Sequence, residues 1–265
     1  MNETANGTDS NTDLPLLTRR EDDILIVILN RPHALNAVDR PLAEAIEAVM
    51  DSYAADRKLR VAVITGAGGT FCSGADLKSV ARGESRSTPG RGSFGVMRRP
   101  PLKPLIAAVE GYALGGGFEL ALSCDLIVAA RNSQFGLPEV KRCRVAVGGG
   151  LFRLPKRLPY HLAMLLALTG VTRSAESMQG FGLFAALSEQ GSALADALAL
   201  ARVIASNAPL AVQATKQIIQ ESVSWDSDDA WDLQMTIAEE ATNSSDAMEG
   251  LKAFIEKRQP TWTGQ

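Results

Sequence analysis

The stretch GYALGGGFELA at residues 111–121 places three successive glycines directly before an apolar helical pattern. Glycine lets the backbone turn tightly and lets a ligand approach the main chain closely. The first N–H groups of a helix have no partner inside the helix, and the helix dipole favours negative charge there. We therefore predict a helix start at Gly115 whose N–H groups could hold a developing oxyanion. A plain tight turn into a packed helix fits the same stretch about equally well.

Apolar runs on both sides of this stretch predict buried strands at 24–29, 61–64, 105–109 and 126–130. A helix is predicted over 42–53, with Asp39 as its N-cap and Pro41 in its first turn. From about residue 151 the periodicity is helical, at 160–169, 192–207, 209–222 and 228–241. This alternation of strands and helices predicts an α/β core with a helical C-terminal layer.

The domain organisation follows from these patterns. Residues 1–13 are polar and predict a disordered tail, 14–200 form the core, and 201–265 form the C-terminal helical region. The arginine- and glycine-rich segment 82–99 lacks an apolar period and predicts a mobile loop near the site.

Composition narrows the function classes. The 265 residues carry a net charge of −3, which disfavours nucleic acid and anionic membranes as partners. Apolar stretches are interrupted before membrane-spanning length, and the N-terminus does not resemble a signal peptide. The cysteines, Cys72, Cys124 and Cys143, are odd in number and widely spaced, which favours a reducing compartment and a cytoplasmic location. No cysteine–histidine cluster indicates a metal site.

Two acidic residues are candidates for catalysis. Glu119 lies one turn into the glycine-led helix among apolar neighbours, where a carboxylate complementing the helix dipole is the plainer interpretation. Glu139 follows Pro138 in FGLPEV at 135–140, which is also an ordinary helix start. As a pair they mean more, because two carboxylates in one apolar site can divide the roles of acid and base.

The segment FCSGADLK at residues 71–78 is the second candidate donor site. Its small residues bring backbone N–H groups to the surface, and Asp76 is a plausible cap of the next helix. If the N–H groups of Ala75 and Gly116 converge, they form a two-donor oxyanion hole. No histidine stands in a context that would activate Cys72, so this thiol is interpreted as buried structure.

Together with Asn30-Arg31-Pro32, Asn36-Ala37 and the tail at 250–258, these motifs resemble the enoyl-CoA hydratase/isomerase (crotonase) family from Ile24 to Trp262. The resemblance implies an α/β, crotonase-like spiral of repeated ββα units with a helical C-terminal trimerisation region. It implies a homotrimer, or a hexamer as a dimer of trimers. It also implies an acyl-CoA substrate in fatty acid metabolism, with no cofactor beyond the CoA that is part of the substrate.

The same resemblance implies roles for single residues. Ala75 and Gly116 would supply the oxyanion hole. Arg31 and Lys78 are plausible cations near CoA phosphates, and Phe254 and Lys257 would approach CoA on a neighbouring subunit. The expected CoA contacts are Ala37, Ala75, Asp76, Leu77, Lys78, Gly116, Phe254 and Lys257.

Hydratases of this family resemble the chain in having glutamate at both acid/base positions, so Glu119 and Glu139 imply syn addition of water to a 2-enoyl-CoA. Which glutamate is the acid stays open. The alternatives are a double-bond isomerase, a carnitinyl-CoA-type dehydratase or a thioester hydrolase and, in another class, a non-catalytic acyl-CoA-binding or RNA-binding protein. Residues 141–150 depart from the pattern of many hydratases and leave the preferred acyl group open.

Overall fold

The computed structural model describes residues 14–265, so the tail predicted at 1–13 lies outside the described residues. The strands are β1 (Leu16–Glu21), β2 (Ile24–Leu29), β3 (Val61–Gly66), β4 (Ser87–Thr88), β5 (Gly92–Ser93), β6 (Leu105–Val109), β7 (Tyr112–Leu114), β8 (Leu126–Ala130), β9 (Gln134–Gly136), β10 (Arg173–Ser174) and β11 (Ala186–Ser188). The α-helices are α1 (Arg40–Ala55), α2 (Leu77–Ala81), α3 (Gly116–Ser123), α4 (Gly150–Arg153), α5 (Tyr160–Thr169), α6 (Ala193–Ala205), α7 (Pro209–Glu221), α8 (Ala230–Thr242) and α9 (Ser245–Glu256).

A six-stranded sheet in the order β1-β2-β3-β6-β8-β11 forms the centre of the molecule. β1 pairs antiparallel with β2, and the other neighbours are parallel. Parallel strands are covered on both faces, so alternate residues of one apolar strand pack into two hydrophobic clusters on opposite faces of the sheet. Val27 and Leu29 pack with α1 and α3, whereas Ile24 and Ile26 pack with α6. This explains why β2, β3, β6 and β8 are apolar without interruption.

Two ββα units bring the chain to the site. In each, a strand of the central sheet is followed by a short strand of a second sheet, ordered β10-β9-β7, and then by a helix. The first unit is β6-β7-α3, and the second is β8-β9 followed by the 3-10 helix Pro138–Arg142. The expected α/β fold of ββα units is confirmed.

The local signals in the sequence locate most of the larger elements. The carboxylate of Asp39 accepts a 3.1 Å hydrogen bond from the N–H of Leu42, as predicted for the N-cap of α1. The helices predicted at 160–169, 192–207, 209–222 and 228–241 correspond to α5, α6, α7 and α8. The short strands β7 and β9 were not predicted, because three residues carry too little pattern to be recognised.

The segment 82–99, predicted as a mobile loop near the site, contains regular and buried structure. It contains the β4–β5 hairpin and buries Arg91 and Phe94. Arg91 pairs with Asp51 of α1 at 2.7 Å. The charge of this buried arginine is neutralised by a helix that is distant in the sequence. Because the buried residue is not apolar, the segment shows no apolar periodicity, and the sequence pattern could not indicate its burial.

The C-terminal helices contribute little to the hydrophobic core, and α7 and α8 contain no buried residue. The division predicted between residues 200 and 201 stays a prediction; residue 200 lies inside α6.

Over residues 14–265, no single helix is long and apolar enough to cross a bilayer. The helices Ala193–Ala205 and Pro209–Ser224 together would be, but a bend of 107° separates them.

Candidate active site

A cavity of about 1230 Å³ opens where α3, the segment 71–78, the 82–99 segment and the 3-10 helix Pro138–Arg142 meet. Most of the residues predicted from the sequence line it: Ala37, Ala75, Asp76, Leu77, Lys78, Gly116, Glu119 and Glu139. Phe254 and Lys257 do not line it, and the side chain of Phe254 is 83% exposed.

The segments that carry Ala75 and Gly116 run side by side. The N–H of Leu114 donates to the carbonyl of Cys72 at 3.1 Å, and the N–H of Cys72 donates to the carbonyl of Tyr112 at 2.8 Å. A Cβ atom added at Gly74 would lie only 3.3 Å from the nitrogen of Gly116. The two predicted oxyanion donors are therefore neighbours across this contact.

Both donors are available to a ligand. The carbonyl of Gly74 and the N–H of Asp76 bond to Val38, and since successive N–H groups of an extended segment point opposite ways, the N–H of Ala75 points away from Val38. Gly116 is the first residue of α3, where an N–H has no partner inside the helix. Within residues 14–265 neither N–H has an acceptor.

Glu119 is buried to 4% exposure in the first turn of α3. Its Oε1 accepts a 2.9 Å hydrogen bond from the N–H of Gly150. The pKa of Glu119 is raised to about 7, mainly by burial and also by the negative charge of Glu139, while the backbone N–H groups of Gly150 and Gly148 oppose the rise. Such a carboxyl group exchanges its proton near neutral pH, as an acid/base catalyst must.

Glu139 projects from the 3-10 helix that Pro138 begins. Its Oε2 is buried and has no hydrogen-bond partner among the described residues, and burial raises the pKa of this carboxyl as well. A Cβ atom added at Gly115 would lie 2.8 Å from Oε1 of Glu139. The Glu139 carboxyl group thus sits against the N-cap of the helix that carries Glu119.

The pairing of β7 with β9 brings the two glutamates together. Along the chain two strands, β8 and β9, lie between Glu119 and Glu139. β9 runs parallel to β7, and the N–H of Gly115 donates to the carbonyl of Gly136 at 2.9 Å. Glu139 follows this contact by three residues, which returns it to the start of α3.

Asp76 acts as the predicted helix cap and also as an ion-pair partner. It accepts hydrogen bonds from the N–H groups of Lys78 and Ser79 and pairs with Arg31 at 3.0 Å. Burial works against its charge, but these hydrogen bonds outweigh it and hold the pKa of Asp76 below its usual value. Arg31 also pairs with Asp39 at 2.9 Å, so two carboxylates already neutralise the cation that was expected near CoA phosphates. Lys78 is exposed on the cavity wall.

Cys72 is fully buried, and burial raises the pKa of its thiol to about 12. A thiol that stays protonated at neutral pH is a poor nucleophile. The interpretation of Cys72 as structural agrees with this. No group of three or more His, Cys, Asp or Glu side chains suited to a metal ion occurs across residues 14–265.

Phe94 is a site residue that the sequence patterns did not reveal. It has a positive φ of 53°, is 4% exposed and lines the cavity. A Cβ atom added at Gly116 would lie 2.5 Å from Cζ of Phe94, so the ring packs against the Cα side of Gly116. Gly148 and Gly150 were missed too; the signal available was the glycine run at 148–150.

Comparison with known proteins gives a consistent result. The family profile described as enoyl-CoA hydratase/isomerase matches residues 19–265. A carnitinyl-CoA dehydratase of Proteus mirabilis (strain HI4320) is 39% identical over 260 residues, covering 95% of this chain and 98% of that protein. A mevalonyl-coenzyme A hydratase of Beauveria bassiana (strain ARSEF 2860) is 40% identical over 256 residues, covering 90% and 91%. The crystal structure of an enoyl-CoA hydratase from Mycobacterium tuberculosis H37Rv superposes with a TM-score of 0.93 at 53% identity, covering 96% of this chain and 100% of that one.

Proposed function

The chain is an enzyme of the enoyl-CoA hydratase/isomerase family, and we propose that it adds water in syn fashion across the double bond of a 2-enoyl-CoA thioester. The product is a 3-hydroxyacyl-CoA. The observation that carries this proposal is the single cavity in which two glutamates of raised pKa lie beside the unpaired N–H groups of Ala75 and Gly116.

Glu119 is the base in this scheme. Its Oε1 is held by Gly150, so the carboxylate can orient a water molecule and take one proton from it as the oxygen attacks C3 of the substrate. The new C–O bond forms as the π electrons move toward the thioester.

Glu139 is the acid. Burial favours its protonated form, which supplies the proton that bonds to C2. During the reaction the negative charge gathers on the thioester oxygen, where the N–H groups of Ala75 and Gly116 stabilise it. Loss of one such donor costs about 3 kcal/mol of transition-state stabilisation in enzymes with comparable sites. After the cycle Glu119 is protonated and Glu139 is ionised, and exchange with water restores both.

The CoA portion is assigned to Ala37 and the segment from Ala75 to Lys78 on the cavity wall. Phe254 and Lys257 lie outside the cavity, so their contact with CoA requires another subunit. The exposed apolar side chains of the C-terminal helices, including Trp231, Met235 and Leu251, support assembly into a trimer or a hexamer. No cofactor beyond the substrate's own CoA is assigned.

A closely related candidate is the same chemistry in reverse, the removal of water from a 3-hydroxyacyl-CoA. The similarity to carnitinyl-CoA dehydratases favours it as the physiological direction for some acyl groups. Both directions use the same two carboxyl groups, so the acyl group, rather than the machinery, distinguishes them.

Purified protein incubated with crotonyl-CoA and a panel of longer 2-enoyl-CoA and 3-enoyl-CoA thioesters tests the proposal. Chromatography with mass spectrometry identifies the products. A 3-hydroxyacyl-CoA supports hydration. A shifted alkene without added water indicates an isomerase, and free CoA indicates a hydrolase; either of these as the sole product would refute the proposal.

A further inference from the structure

Three basic side chains on the cavity wall, those of Arg86, Lys141 and Arg144, have no acidic partner among residues 14–265. None of the three makes an ion pair or a hydrogen bond within that range. Arg142, on the same wall, instead lies within electrostatic reach of Glu139, whose pKa it lowers. Arg31 on the same cavity shows the contrast, because Asp39 and Asp76 neutralise it. An uncompensated group of cations facing a cavity is a site for an anion.

Arg86 and Arg144 form the central pair of this group. Arg86 is partly buried, and burial together with the positive charge of Arg144 lowers its pKa. Two like charges held within electrostatic reach of each other raise the free energy of the empty site, and a bound anion removes that penalty. Guanidinium groups bind carboxylates through two parallel hydrogen bonds, which gives direction as well as strength.

The backbone places this pair at the catalytic end of the cavity. The N–H of Arg144 donates to the carbonyl of Glu139 at 3.1 Å. The carbonyl of Arg86 accepts a 2.9 Å hydrogen bond from the N–H of Phe94, whose ring packs against Gly116. Lys78, by contrast, belongs to the segment assigned to CoA.

The wall beside the two arginines suits an alkyl chain that ends in a charge. Val145 and Val147 line the cavity and are 62% and 82% exposed, so they offer apolar surface to methylene groups. Val145 directly follows Arg144 in the chain, so this apolar surface adjoins one of the two arginines.

We propose that Arg86 and Arg144 form a carboxylate-binding subsite and that the preferred substrates are 2-enoyl-CoA thioesters whose acyl chain ends in a carboxylate. This inference rests on the proposed hydration and names its substrate class. The anion is assigned to the acyl chain rather than to a CoA phosphate because both arginines connect to the catalytic segments.

The test compares trans-hex-2-enedioyl-CoA with trans-hex-2-enoyl-CoA, which share chain length and differ in the terminal carboxylate. In the wild-type protein we expect kcat/KM for hydration to favour the dicarboxylic thioester by about tenfold, as one charge-assisted bidentate pair provides. In the Arg86→Gln/Arg144→Gln double variant this ratio falls to about one. Arg99→Gln, an exposed arginine of the same segment outside the cavity, keeps the wild-type ratio.

A wild-type ratio of one or less, or an unchanged ratio in the double variant, would overturn the subsite. In another outcome, the double variant loses kcat/KM equally with both CoA thioesters and loses none with the corresponding pantetheine thioesters. That result would assign the arginines to CoA phosphates and would also overturn the carboxylate subsite. If neither thioester is hydrated, the proposed function fails, and calorimetry with unreactive adipyl-CoA and hexanoyl-CoA still decides the subsite. Tighter binding of adipyl-CoA that the double variant loses supports it, and equal affinities refute it.

Discussion

The main-chain N–H of Gly150 donates a hydrogen bond of 2.9 Å to Oε1 of Glu119. Gly150 begins α4, and a Cβ atom there would lie 2.9 Å from Cγ of Glu119. At Gly148 an added Cβ would lie 2.8 Å from Oε2 of the same carboxyl. The backbone of 148–150 therefore packs directly on Glu119. This carboxyl group has no ion-pair partner among residues 14–265, and burial is the main reason that its pKa rises to about 7.

Replacing either glutamate with glutamine should abolish most of the hydration. Glutamine keeps the shape but cannot exchange a proton, and a positioned acid or base contributes roughly 10²- to 10⁴-fold to the rate. We expect kcat of Glu119→Gln and of Glu139→Gln to fall within that range on crotonyl-CoA. Glu176→Gln, on the surface, serves as the control and keeps wild-type activity. Full activity in either site variant would refute the assignment of both carboxyl groups.

The pH profile should report which glutamate is the base. Glu119 has a pKa of about 7, so hydration by an ionised Glu119 rises as the pH increases through 7. Burial also raises the pKa of Glu139, and loss of its proton opposes this rise in activity because the proton for C2 is then missing. Steady-state kcat against pH in wild type and Glu119→Gln measures this, and the variant's residual activity should lack the acidic limb. Wild-type activity that falls as the pH rises through 7 would reverse the two roles.

Stability should depend on pH through the same residue. The folded-state pKa of Glu119 is about 7 and its ordinary value is 4.5, so its contribution to stability is full below pH 4.5 and is lost as the pH rises to 7. Each pH unit in that window removes up to ~1.4 kcal/mol. Between pH 5 and pH 8, Glu119→Gln should gain about 2 to 3 kcal/mol over the wild type in its free energy of unfolding.

Urea unfolding of both proteins at the two pH values measures this difference. Glu176→Gln should track the wild type at both. A difference between Glu119→Gln and wild type that does not change with pH would mean that Glu119 ionises as it does in the unfolded chain.

A second substitution at Phe94 should partly restore the activity that Gly116→Ala loses. In Gly116→Ala the added Cβ meets Cζ of Phe94 at 2.5 Å, which pushes the ring and the oxyanion donor apart. We expect kcat to fall about tenfold or more, short of the roughly 10²- to 10³-fold cost of losing a whole donor. Gly116→Ala/Phe94→Leu should recover part of that loss because leucine leaves room for the methyl group.

Gly117→Ala provides the contrast, because its Cβ would collide with the backbone carbonyl of Cys72, which cannot move aside. Phe94→Leu should not rescue it. If the double variant at 116 and 94 is no better than Gly116→Ala alone, the ring does not limit the space at the donor.

Patterns among neighbouring residues were sufficient to predict the main strands and the helix caps of this protein. The strands at 24–29, 105–109 and 126–130 were predicted from unbroken apolar runs, and the structure has them at the same residues. Asp39 and Asp76 were predicted as helix caps, and each accepts the N–H groups expected. These features depend on a residue and its near neighbours, which the sequence displays directly.

Contacts between distant segments decided the rest. The pairing of β7 with β9 places Glu139 next to Gly115. Asp39 and Asp76 form ion pairs with Arg31. The 82–99 segment packs Phe94 against Gly116. In each contact, the local sequence around one group does not indicate which distant residue it will meet. The sequence by itself determined which residue types were present and which elements they form; only tertiary packing, which brings remote segments within bonding distance and removes water, decided which carboxyl groups share a cavity and how their pKa values rise.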